Sequence, residues 1–161
     1  MYMDTSFYLI KPRIAKTDIF DKVYITDLYV YFIKVGGQFH NRFAYEKQLP
    51  EILELIFLYW FKKMEKKQTK IENDYDQMIK NNEVSQLLNK RPNFSLENSE
   101  ISEIILSKKR TFHTGFNDNG TIIFSLMNGK TIMFIIPRNT LRMEIKKCMN
   151  IENQAFTLRE E

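Results

Sequence analysis

One cysteine, two histidines and one tryptophan are all that 161 residues contain of these types. With Cys148 alone, no disulfide can close within one copy, which fits a reducing compartment. His40 and His113 lie far apart, and no His-x3-His or Cys-x2-Cys spacing occurs, so no metal is expected. A P-loop, a G-x-G-x-x-G and a G-x-S-x-G are missing too, and with them the usual nucleotide and hydrolase signatures. No catalytic residue and no cofactor is assigned, and the chain reads as a protein that is not an enzyme.

Long apolar runs are also lacking. The longest, Ile52 to Phe61, has ten residues and contains Glu54. A membrane-spanning helix needs roughly 20. The opening MYMDTSFYLIKPR lacks the basic start and apolar centre of a signal peptide. These features predict a cytoplasmic chain, with a membrane-peripheral position as the alternative.

Hydrophobic residues make up 43% and aromatics 14%, enough to build a core. The formal charge is +4. Lysines outnumber arginines 17 to 7, a balance that compositional bias toward Lys, Ile and Asn explains as well as an acidic partner does. Nucleic acid is therefore the remote alternative among partners, suggested by charge alone.

The clearest stretch is Gly120 to Met149. Two apolar runs flank Asn128-Gly129, a pair suited to a two-residue type I′ turn. That turn would set Met127 opposite Lys130 and place Ile122, Phe124 and Leu126 with Thr131, Met133 and Ile135 on the core face. The other face is still rich in Ile and Phe and needs a cover, from the middle helices or another subunit. Pro137 ends the second strand. Asn139 is the predicted N-cap of a helix over 139–149, with Leu141, Ile145 and Cys148 on its inner stripe.

Upstream, residues 5–10 read as a first strand, and Asp21 to Ile33 as two strands joined at Thr26-Asp27. The middle changes period. Pro50 opens an apolar helix with lysines at its far end, followed by a second helical stretch over 70–80 and a short one over 83–90. Phe94 to Leu96 forms a short edge strand, Ile101 to Leu106 a longer one, and Thr111 to Phe116 another. Asn117 to Gly120 is a turn. Residues 150–161 are expected to be a frayed tail.

Two stretches resemble the PH-like superfamily, of the GRAM or bacterial PH type. DKVYITDLYVYFI, Asp21 to Ile33, is similar to the paired early strands of GRAM domains with a Thr-Asx turn. From Phe94 to Met149, FSL, ISEIIL, a polar turn, GTIIFSLMNGKTIMFII and a closing helix follow in the family's order. Asp21 and Tyr29 replace a glycine and a basic residue common there. The resemblance implies an α+β fold with a bent antiparallel barrel or sandwich. It would be a single domain over 1–150: strands in 1–45, a helical insertion at about 46–92, strands in 93–136 and a capping helix over 137–149.

The resemblance implies a noncatalytic binding module, acting on another protein or forming a homodimer. A peripheral membrane module is the alternative. For lipid or anion binding the candidates are Lys11, Arg13, Lys16 and Lys22, because the loop after the first strand holds phosphate-gripping cations in lipid-binding relatives. Lys108-Lys109-Arg110 is a second basic patch. For an interface the candidates are Phe57, Tyr59, Trp60 and Phe61 on the middle helix, followed by lysines. The acidic cluster Glu72, Asp74 and Asp76 is expected to be a solvated helix face.

Overall fold

The structure is a computed structural model and describes residues 6–36, 51–149 and 156–161, with the backbone alone over 51–57. Its strands are β1 (Ser6–Lys11), β2 (Ile19–Ile25), β3 (Tyr29–Gly36), β4 (Phe94–Glu97), β5 (Ile101–Ser107), β6 (Asp118–Leu126), β7 (Thr131–Pro137) and β8 (Thr157–Glu160). Helices are α1 (Glu51–Lys80), α2 (Val84–Leu88) and α3 (Arg142–Met149). The fold is α+β. One eight-stranded sheet runs in the order β4-β3-β2-β1-β7-β6-β5-β8. All neighbours are antiparallel except β5 and β8, which are parallel.

The sheet curls without closing. In a flat sheet β3 and β7, three strand spacings apart, would be separated by roughly 14 Å. Yet the Phe32 ring on β3 lies 5.0 Å from that of Phe134 on β7, and 5.3 Å from that of Phe124 on β6. The two halves therefore face one another across a shared aromatic centre. Leu9, Val23, Val30, Ile104, Leu106, Ile122 and Ile136 complete the concave core, and α3 adds Ile145, Cys148 and Met149. β4 and β8 remain as edges of the linear order.

The β6–β7 hairpin differs from the sequence expectation by one residue. Phe124 pairs with Ile132 and Ile122 with Phe134, and the Leu126 N–H donates to the Lys130 carbonyl. Met127, Asn128 and Gly129 form a three-residue loop, with Gly129 at φ +81°. A one-residue slip turns a whole strand over. Ile132, Phe134 and Ile136 thus face the core, not Thr131, Met133 and Ile135. The longer loop puts Ile132, Phe134 and Ile136 on the core face in place of a set that includes the polar Thr131, which favours it over the type I′ turn.

Three more expectations are corrected nearby. Residues 111–116 form a short 3-10 turn (Phe112–Thr114), not a strand, because Gly115 and Phe116 both take positive φ. Asp118 begins β6, with a bulge before Thr121. Gly120 is required there: its φ is +100°, and a Cβ would overlap the Ser107 carbonyl. α3 starts at Arg142. The Leu141 N–H donates to the Glu144 carboxylate at 3.1 Å, and Leu141 itself is exposed.

α1 is one continuous helix of 30 residues, about 45 Å long. Two helices were expected, but no proline or glycine lies between Glu51 and Lys80 to break it. It ends at Asn82, whose φ is +63°. The Glu83 N–H donates to Met78 and the Asn82 N–H to Ile79, a Schellman closure. Tyr75, Met78 and Ile79 of α1, with Val84, Leu87 and Leu88 of α2, pack on the convex face of β2 and β3 against Tyr24, Tyr31 and Ile33. The helical section thus covers the first sheet half, not the β6–β7 hairpin. Residues 157–160, expected to fray, extend the sheet as β8.

Candidate functional site

Two loops meet at one end of the curled sheet. The β1–β2 loop carries Arg13, Ile14 and Lys16, and the β5–β6 loop carries Lys108 to Phe116. The His113 imidazole contacts both oxygens of Asp18, at 2.9 and 3.0 Å, and the same carboxylate accepts the Arg13 N–H at 3.0 Å. This contact ties the loops together. Ile14 is 99% exposed and Phe112 84%, and Phe116 is also exposed. The two phenylalanine rings meet edge to face at 5.9 Å. Lys16, Lys108, Lys109 and Arg110 are exposed beside them.

Asp118 shapes the second loop. Its buried carboxylate accepts the Thr111 N–H at 2.9 Å, the Thr111 hydroxyl at 2.7 Å, the Gly120 N–H at 2.8 Å and the Thr114 hydroxyl. Burial alone would raise this carboxyl, but the hydroxyls of Thr114 and Thr111 and the two N–H groups outweigh it and hold it low. Asp118→Ala removes the acceptor of the Thr111 and Gly120 N–H groups and a partner of both hydroxyls. It is expected to cost about 2 kcal/mol in urea unfolding and to speed amide exchange at Thr111.

The four predicted anion-binding cations do not form one cluster. Arg13 and Lys16 sit in the β1–β2 loop. Lys11 ends β1 on the core face, its ammonium 4.7 Å from the centre of the Phe94 ring and 5.9 Å from that of Phe134. Lys22 lies on the opposite face. Only 8% exposed, it donates to both oxygens of Asp76 at 2.8 and 2.9 Å.

Asp76 and Glu72 form a packed contact with the sheet rather than the expected solvated face. Asp76 also accepts the Tyr24 hydroxyl at 2.6 Å, and Glu72 accepts Tyr8 at 2.5 Å. Burial, then these bonds and the carboxylate charges, push both phenols up. The spacing of 72 and 76 placed both on one helix face. What the sequence did not show was the matching Tyr8, Lys22, Tyr24 row on β1 and β2, which alternation puts on one sheet face.

Of the predicted interface residues, Tyr59 is exposed, Trp60 is 61% exposed and Phe61 is buried. The Phe57 side chain lies outside the described residues, as does His40. Cys148 is buried as expected, and burial followed by the Glu144 charge pushes its thiol up.

A second buried carboxylate, Asp21 on β2, pairs with Leu9 on β1 and Lys34 on β3. Burial raises it to about 6, against the opposing pull of Lys11 and Lys34. Among the described residues no group of three or more His, Cys, Asp or Glu side chains could hold a metal ion. Among them, too, no helix is long and apolar enough to cross a membrane. No family model, curated protein or solved structure matches the chain.

Proposed function

We propose that this chain is a noncatalytic binding module of PH-like kind that docks on an anionic membrane surface through its loop end. The observation that carries the reading is the grouping of Ile14, Phe112 and Phe116, all exposed, with Arg13, Lys16, Lys109 and Arg110. Apolar side chains at a loop tip gain by entering the acyl boundary, and each nearby cation adds about 1 kcal/mol against anionic headgroups. A cytoplasmic leaflet is the matching surface. The strand order β4-β3-β2-β1-β7-β6-β5, followed by a helix packed on the concave core, supports the PH-like part.

Co-sedimentation with vesicles tests it. The chain is expected to pellet with phosphatidylserine-containing vesicles at low salt and to stay in solution with pure phosphatidylcholine. Ile14→Asp combined with Phe112→Ser should reduce pelleting at least about tenfold while leaving the far-UV spectrum unchanged. Equal pelleting of variant and parent would contradict the reading. Self-association through Tyr59 and Trp60 is the second reading, favoured by their exposure on α1. A dimer dissociated by Trp60→Ala would support it.

A further inference from the structure

The β5 edge already holds an extended segment. Residues 157–160 pair with β5 in parallel, from Glu103 opposite Thr157 to Leu106 opposite Glu160. The Glu161 N–H donates to the Leu106 carbonyl at 2.9 Å, and the Lys108 N–H to the Glu161 carbonyl at 3.0 Å. Side chains alternate as an edge strand requires. Phe156 and Leu158 pack against the concave core, while Thr157 and Arg159 are exposed.

The charges match along the same line. Glu160 pairs with Lys146 of α3 at 2.7 Å. That bond and the charges of Lys146, Lys108 and Arg142 hold its carboxyl low. Arg159 reaches Glu103 of β5 at 3.4 Å. The β5 edge and α3 therefore present backbone donors and acceptors, an apolar strip and three cations to an extended chain with acidic residues at its far end.

The occupant is held lightly. None of its side chains is fully buried, and Phe156 and Leu158 are only half-buried. A parallel partner cannot be placed by a tight turn and must dock from a distance. Its ion pairs are exposed and screened. Such a strand belongs to the part of a fold that opens first.

We propose that the β5 edge beside α3 is a peptide-recognition site and that segment 156–161 is its tethered occupant. The segment gives way to a partner peptide of the pattern aromatic-x-aliphatic-x-acidic-acidic. Recognition is by strand addition: the ladder supplies affinity, and the two apolar positions and the cations supply selection. The site borders the loop end at Lys108 but does not depend on the membrane reading.

The test uses the full chain with Phe156→Ser and Leu158→Asp, which detaches the segment. A fluorescein-labelled AFTLREE peptide is the probe. It should bind the detached variant at least about tenfold more tightly than the parent, whose own segment competes. A peptide carrying Leu158→Asp or Glu160→Lys should bind at least about tenfold more weakly. Binding should also restore exchange protection at the Lys108 N–H. A folded variant that does not take up the peptide overturns the proposal. So does a parent dimer that requires Leu158 without peptide binding, since the edge would then serve exchange between copies.

Should the variant fail to fold, amide exchange in the parent decides. The Lys108 and Glu161 amides are expected to exchange at least about tenfold faster than that of Phe124. Equal protection would make the segment an integral strand and overturn the proposal.

Discussion

Asp76→Ala is expected to lower the unfolding free energy by about 3 kcal/mol, measured by urea denaturation. The substitution removes the carboxylate that meets the Lys22 ammonium at 2.8 Å and accepts the Tyr24 hydroxyl at 2.6 Å. Both lie beneath α1 on the convex face, where water replaces a lost partner poorly. The loss should exceed that of an exposed ion pair, which is about 1 kcal/mol or less. Replacing the pair together, Lys22→Met with Asp76→Leu, should recover most of it, because no buried charge is then left alone. If Asp76→Ala costs less than about 1 kcal/mol, the network does not anchor α1 to β1 and β2.

Asp21→Asn should act in the opposite direction. The folded carboxyl titrates near 6, raised from the ordinary 3.8 by burial. The folded chain therefore binds a proton that the unfolded chain releases. The stability from this group is fully present below about pH 4 and is lost as pH rises through about 6. The span of about two pH units corresponds to about 3 kcal/mol. Asparagine keeps the shape of the protonated acid and removes the titration. The variant should be about 3 kcal/mol more stable than the parent at pH 8 and equal to it near pH 4. Identical pH profiles would show that Asp21 does not ionise at the cost of stability. Asp118 has the opposite sign. Its lowered carboxyl stabilises the chain above the unfolded value, and that contribution is lost as pH falls through the folded one.

Where most strands lie along the chain was legible because β-branched and aromatic runs, separated by Thr26-Asp27, Arg91-Pro92 and Asn128-Gly129, outline the elements without help from distant contacts. Register was not. Asn128-Gly129 fits a two-residue and a three-residue loop equally well by local chemistry. Only Phe134 stacking on Phe32 across the curled sheet, with Ile132 packed against the same core, decides between them. Similarly, Glu72 and Asp76 look like solvated helix residues until Tyr8, Lys22 and Tyr24 face them from strands more than fifty residues away in sequence.

The loop end was half legible. Arg13 and Lys16 stood out as cations in the loop after β1, and Lys108 to Arg110 as a second patch. Thr111 to Phe116 gave no sign of its apolar tip. Its alternation suits a strand, and the Asp118 carboxylate overrides that by gathering Thr111 and Thr114. β8 was invisible for a related reason. TLRE pairs in parallel with a strand fifty residues earlier, and no local turn signals such a partner.

A polarity-sensitive fluorophore placed at residue 14 through Ile14→Cys measures the docking surface directly. Cys148 is buried with its thiol pushed up, so labelling falls on the new residue. With phosphatidylserine vesicles the emission should shift to the blue, and high salt should reverse it. The same dye at Asn128, in the hairpin turn away from the loop end, should not respond. A residue 14 signal that stays unchanged with anionic vesicles, or one matched at residue 128, would contradict docking through this end.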